Sequence, residues 1–80
     1  LSGVKIASVN AFANNLKKRH NANPIKETDI PAIVKKLNDA FITMPKNDKK
    51  KWLDRKGWKP IEAIIGTSLT DAIFTQLLQN

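Results

Sequence analysis

The 80-residue chain carries 14 basic and 7 acidic residues, a single histidine and no cysteine. The absence of cysteine excludes disulfide bonds and thiol chemistry, and one histidine argues against a zinc site, because zinc prefers several Cys or His ligands. The apolar runs are too short to cross a bilayer, and the chain opens without a signal-peptide pattern. We therefore expect an intracellular protein, cytoplasmic or nuclear, that holds no metal or cofactor.

The hydrophobic pattern is helical throughout, without sustained period-two alternation or a hairpin turn signal. It predicts an all-α fold, a compact bundle of four to five short helices that forms one domain over residues 1–80. Because the chain does not open with Met, we expect this domain to be part of a longer protein.

The first helix is predicted over about residues 4–19, with Ser2 as its candidate N-cap. Its last turn is basic and complements the negative end of the helix dipole. A polar segment over residues 20–24 then ends the helix, and His20 is expected to be a solvent-exposed turn residue. The second helix, over residues 29–43, has Thr28 or Asp29 as its cap and Pro31 in its first turn, where proline is tolerated. Three polar residues of this helix are predicted to face water: Lys35, Lys36 and Asp39.

The third helix is predicted over residues 48–56, with Asn47 or Asp48 as its cap. Gly57 is expected to adopt the left-handed conformation just past the helix end, so that Trp58 folds back onto Leu53 in a Schellman motif. This arrangement places Trp58 in the core.

The fourth helix is predicted to begin at Pro60 and to stop at Gly66. The fifth follows with Ser68 as cap and Asp71 three residues on, which resembles a capping box. Apolar residues cover more than one face of this last helix, so it must be covered by neighbours or meet a second chain. The predicted core comprises Phe12, Leu16, Ile33, Val34, Leu37, Phe41, Leu53, Trp58, Ile61, Ile64, Ile65, Ile73, Phe74 and Leu77.

The distribution of basic residues is the strongest functional signal. All 14 lie between Lys5 and Lys59, and residues 46–59 hold seven of them against two acidic residues. On a helix over 48–56, Lys51 and Arg55 would share a face, and such a cluster is suited to phosphate groups. Lysine outnumbers arginine twelve to two, which somewhat favours a merely solvated surface. If the cluster does bind, lysine is suited to phosphate contacts, whereas arginine is the usual residue for bidentate base recognition. The expected contacts are Lys46, Lys49, Lys50, Lys51, Trp52, Arg55, Lys56 and Lys59, with Lys17, Lys18, Arg19, Lys35 and Lys36 as secondary contributors.

The basic residues, Trp52 and the last two helices each have a second interpretation. The lysines could simply form a solvated surface. Trp52 could stack on an exposed base, but tryptophan in a small domain more often packs in the core. The last two helices have the short turn of a helix-turn-helix motif. The second of them, however, contains no Lys or Arg with which to contact DNA, which favours a core hairpin or a dimerisation element.

Catalysis and membrane binding have weaker support. His20 has no catalytic partner in the sequence, and neither a glycine-rich phosphate loop nor a nucleophile elbow is present. The basic residues of the first helix gather at one end rather than along its polar face, unlike those of an interfacial helix.

We therefore expect a non-catalytic nucleic-acid-binding accessory domain of a larger DNA- or RNA-processing protein, such as a replication factor. Its sequence specificity should be low, because phosphate contacts do not read bases, and DNA is favoured over RNA. The alternative is a protein-interaction or dimerisation module that uses the apolar fifth helix. Its basic surface would then serve solubility or complement an acidic partner.

Overall fold

Five α-helices make up most of the chain in a computed structural model that describes residue 6 and residues 8–79. Two 3₁₀ turns, Glu27–Asp29 and Arg55–Trp58, lead into the second and fourth helices. The described residues contain no strand, so the prediction of an all-α bundle is confirmed. The helices are α1 (Val9–Ala22), α2 (Ile30–Thr43), α3 (Lys46–Trp52), α4 (Lys59–Ile65) and α5 (Thr67–Gln79).

The bundle is assembled from two packed helix pairs. α1 packs against α4 and α2 packs against α5, while contacts between α4 and α5 join the pairs. The Cα radius of gyration is 11.7 Å, close to the value of about 11.6 Å expected for a compact domain of this length. The short α3 lies beside the second 3₁₀ turn, and together they bridge the two pairs through aromatic side chains.

The first helix begins and ends later than predicted. Ser8 is its N-cap, and the Ser8 hydroxyl accepts a hydrogen bond from the Ala11 N–H at 3.1 Å. The predicted cap Ser2 lies outside the described residues. At the other end the helix continues to Ala22, and Nδ1 of His20 accepts the N–H of Ile25 at 3.1 Å. His20 is therefore a half-buried helical residue that fastens the following loop, and its prediction as an exposed turn residue is wrong.

The predicted position of the second helix is confirmed. Pro31 lies in the first turn, and Lys35, Lys36 and Asp39 are exposed, with Lys35 and Asp39 paired at 2.9 Å. Asp29 is the N-cap residue by position, but its carboxylate accepts the N–H of Lys26 at 2.9 Å instead of capping α2. This hydrogen bond, with the Arg19 guanidinium 3.3 Å away, lowers the pKa of Asp29 below its ordinary value.

The third helix differs most from its prediction. It starts directly after Pro45 and ends at Trp52, because the chain turns there into a 3₁₀ turn whose N-cap, Asp54, accepts the N–H of Lys56. Gly57 lies inside that turn and has no positive φ, so the predicted Schellman motif is wrong. Trp58 is buried as predicted, but Leu53 is 38% exposed and does not belong to the core.

The connection between α4 and α5 depends on a glycine. α4 has Pro60 in its first turn and ends at Gly66, which adopts φ 90° and ψ 163°. α5 starts at once with Thr67, so Ser68 lies within the first turn and the predicted capping box is wrong. The buried Thr70 hydroxyl donates to the Gly66 carbonyl at 2.7 Å, which ties α5 to the turn.

Replacement of Gly66 by alanine is expected to destabilise the domain by about 1–3 kcal/mol, because this backbone region is essentially restricted to glycine. No neighbouring atom lies within 4 Å of a Cβ at this position, so the cost comes from the backbone conformation alone. Gly57→Ala is the matched control, since Gly57 has no positive φ. Urea denaturation of both variants checks the prediction, and equal stabilities would contradict it.

All five aromatic residues form a continuous cluster of edge-to-face contacts through the middle of the bundle. The Trp52 ring lies 5.6 Å from Phe12 of α1, 6.2 Å from Phe41 of α2 and 5.9 Å from Trp58, measured between centroids. Trp58 in turn lies 5.4 Å from Phe74 of α5. This cluster joins α1, α2, α3, α5 and the second 3₁₀ turn. Apart from Leu53, the predicted core residues are buried or, for Ile64 and Phe74, partly buried; the core also includes Ile6, Ala13, Ile25, Ile30 and Trp52.

Candidate nucleic-acid interface

Trp52 does not belong to the candidate interface. Its side chain is 0% exposed, with aromatic rings of α1, α2 and the second 3₁₀ turn around it. Its carbonyl accepts the indole N–H of Trp58 at 2.7 Å. A base could reach Trp52 only if the core opened, so the prediction of a nucleic-acid contact at this residue is wrong. Its role is to anchor α3.

The burial of Trp52 sets the direction in which the α3 lysines point. With about 100° between successive residues of a helix, Lys50 lies opposite Trp52, and Lys46 and Lys51 lie on either side of Lys50. Lys49 is nearer the core side, and its ammonium nitrogen lies 5.8 Å from the Phe41 ring centroid. All four lysines are exposed. We call Lys46, Lys49, Lys50 and Lys51 the α3 lysine face.

The α3 lysine face has no internal charge compensation. None of its four ammonium groups forms an ion pair with a described residue, and the same holds for Lys56 and Lys59 in the neighbouring turn and at the start of α4. These positive charges are therefore available to an anion, and the Lys49 ammonium in addition lies over the Phe41 ring.

Arg55, in contrast, is already occupied. Its guanidinium donates to Asp71 of α5 at 2.8 and 3.1 Å and to Glu62 of α4 at 2.7 Å. It lies in the 3₁₀ turn and not on α3, so the expected shared helix face with Lys51 is wrong. The hydrogen bonds to Glu62 and Asp71 raise the pKa of Arg55, and the Arg55 hydrogen bond lowers the pKa of Glu62. Arg55 therefore ties together three elements of the fold.

The secondary candidates fall into two groups. Arg19 pairs with Asp29 at 3.3 Å, and Lys35 pairs with Asp39 at 2.9 Å. Lys17, Lys18 and Lys36 are exposed on α1 and α2 without a described ion-pair partner. The structure thus distinguishes the lysines without an ion-pair partner among the described residues from Arg19, Lys35 and Arg55, which are already paired. The sequence alone does not show this difference.

The N-terminal part of α5 offers no positively charged recognition surface. Thr70 is buried, Asp71 is engaged by Arg55, and the whole helix contains no Lys or Arg. The α4–α5 pair acts instead as a core hairpin, because α5 packs on both α2 and α4.

Residue 6 and residues 8–79 contain neither a candidate membrane span nor a candidate metal site. No helix there has the length and hydrophobicity needed to cross a membrane. No three His, Asp or Glu side chains of this part of the chain gather into a group that could hold a metal ion. Comparison of the chain with protein families, curated proteins and solved structures finds no match.

Proposed function

We propose that this chain is a non-catalytic nucleic-acid-binding domain that contacts phosphates through the α3 lysine face. One observation carries the proposal: four exposed, uncompensated lysines lie on a seven-residue helix whose inner side is fixed by the fully buried Trp52. Because Trp52 anchors α3, the helix is already ordered, and its lysines can contact the phosphates of a nucleic acid without a large loss of conformational entropy. Lys56 and Lys59 extend the positive surface next to α3.

The aromatic residues favour duplex DNA as the partner. Sequence-tolerant binding of single strands commonly uses aromatic side chains on which the bases stack. Here all five aromatic residues are buried or partly buried in one internal cluster. Lysine contacts to phosphates remain, and they predict binding with little sequence preference. Such a role fits an intracellular accessory domain of a larger nucleic-acid-processing protein.

The salt dependence of binding tests the proposal. We expect the affinity for a fluorescently labelled duplex, measured by anisotropy, to fall about 100-fold between about 50 and about 200 mM salt, as four phosphate contacts would require. A single-stranded oligonucleotide of the same length should bind more weakly. Absence of binding at the lower salt, or binding that is insensitive to salt, would overturn the proposal.

Dimerisation through an apolar face of α5 has less support than phosphate binding. Ile73 and Leu77 are buried within the bundle, and Leu69, Ala72 and Phe74 are partly buried. Leu78 is the large hydrophobic residue of α5 that remains exposed.

A further inference from the structure

Three exposed apolar residues from separate parts of the fold meet at one groove. Ile42 near the end of α2 is 80% exposed, Leu53 after α3 is 38% exposed, and Leu78 near the end of α5 is 57% exposed. These are the large hydrophobic side chains that the described part of the chain leaves exposed, and all three line the same groove of about 270 Å³. Phe41 and Leu77 belong to its lining as well.

The convergence of these residues distinguishes the groove from ordinary surface exposure. Single exposed hydrophobic residues are common on soluble proteins, whereas here the exposed large apolar side chains of the described residues gather at one concave site. Ile42, Leu53 and Leu78 lie far apart in sequence, so only the folded bundle brings them together. The groove is slightly smaller than the range of about 300–1,000 Å³ usual for small-molecule sites, and its size suits a few side chains of a protein segment.

The charge at the groove defines the chemistry of its partner. Lys49 lines the groove together with the apolar residues, and no carboxylate of a described residue does so. The other lysines of α3 extend the positive charge away from it. A partner with apolar side chains toward the groove and Asp or Glu beside them would be complementary in both hydrophobicity and charge.

The positive charge beside the groove argues against a second copy of this chain as the molecule that binds there. A symmetric dimer through the groove would place Lys49 and its neighbours of one copy close to those of the other. With a net charge of +7 per chain, the two copies would repel each other.

We propose that this groove binds an acidic amphipathic helix of a partner protein. Such a helix would insert apolar side chains at i, i+3 or i+4, and i+7 between Ile42, Leu53 and Leu78, as in other helix-in-groove complexes. Acidic residues on its flank would pair with Lys49. The inference is independent of nucleic-acid binding, although Lys49 belongs to both surfaces.

A synthetic peptide tests the proposal. The probe is a helical peptide of about four turns, with leucine at the three inserting positions and glutamate beside them, titrated into the whole chain by calorimetry. We expect it to bind, and we expect Ile42→Asp to weaken binding by about tenfold or more, a loss typical of a central apolar contact. Because Ile42 is 80% exposed, this variant should remain folded, and circular dichroism verifies that. Leu78→Ser is the second groove variant.

Two controls separate the groove from general charge attraction. Lys50→Gln alters α3 opposite the core side and should change peptide affinity far less than Ile42→Asp. A peptide of the same composition with its leucines scrambled should bind more weakly. The proposal is overturned if the probe does not bind, if the scrambled peptide binds equally well, or if Ile42→Asp leaves binding unchanged. Sedimentation that shows a dimer dissociated by Ile42→Asp would also overturn it in favour of a second copy.

Discussion

Trp52→Ala is expected to remove about 3–5 kcal/mol of folding free energy, the range for truncation of a buried tryptophan. A domain of this size has a total stability of only about 4–12 kcal/mol, so the substitution should remove a large share of it and lower the urea midpoint markedly. The reason is the position of the ring, which contacts Phe12, Phe41 and Trp58 and so connects α1, α2 and the second 3₁₀ turn. Circular dichroism during urea denaturation measures the loss.

Two variants control for this interpretation. Leu53→Ala, at the next position in the sequence, should cost much less because Leu53 is exposed. Trp52→Phe should fall between them, because it keeps an aromatic ring and removes a buried indole N–H that has no hydrogen-bond partner among the described residues. If Trp52→Ala kept wild-type stability and lost only nucleic-acid binding, Trp52 would be a contact residue and its anchoring role would be refuted.

Charge reversal on α3 is expected to produce the largest loss of nucleic-acid binding. The triple variant Lys46→Glu, Lys50→Glu and Lys51→Glu should lower duplex affinity by at least about 100-fold at about 50 mM salt, since three phosphate contacts are lost and repulsion is added. All three residues are exposed and unpaired within the described structure, so the fold should persist. Fluorescence anisotropy measures the affinity, and circular dichroism checks the fold.

A matched variant distinguishes a defined surface from net charge. Lys17→Glu, Lys18→Glu and Lys36→Glu reverse the same number of charges on α1 and α2, at exposed positions without an ion-pair partner among the described residues. We expect this variant to lose much less affinity than the α3 variant. Equal losses would mean that the overall positive field binds DNA and that α3 has no special role.

The elements with long periodic patterns could be predicted from the sequence. The α2 stripe repeats at helical spacing over four turns, and both the position of α2 and its buried face are confirmed. The end of α4 at Gly66 could also be predicted, because glycine tolerates the positive φ that the turn requires. Such local signals do not depend on what packs against the helix.

The features of the candidate site depend on contacts between residues distant in sequence. α3 has seven residues, too few for a periodic pattern to fix its boundaries, so the sequence favours the core for Trp52 but leaves a surface position open. The pairing of Arg55 with Asp71 spans 16 positions, and nothing in the local sequence separates Arg55 from the lysines around it. The sequence does contain one signal for this pairing. The segment after Lys59 has no basic residue, and its acidic residues, Glu62 and Asp71, therefore need a cation from an earlier part of the chain.

The apolar groove illustrates the same limit. The sequence predicts Leu53 to lie in the core, because it is a leucine within a predicted helix, and it contains no signal that distinguishes Ile42. Whether each is buried depends on how α2, the α3 end and α5 come together. Their shared exposure is a property of the assembled bundle.

The most direct test of phosphate binding by the α3 lysine face is the slope of log affinity against log salt concentration for a duplex. With lysines 46, 50 and 51 replaced by glutamine, the slope should become shallower by about 2.7, since each phosphate contact on B-DNA contributes about 0.9. The same replacement of Lys17, Lys18 and Lys36 should leave it nearly unchanged. If the α3 variant retained the wild-type slope, these lysines would not contact phosphates and the proposed interface would be wrong.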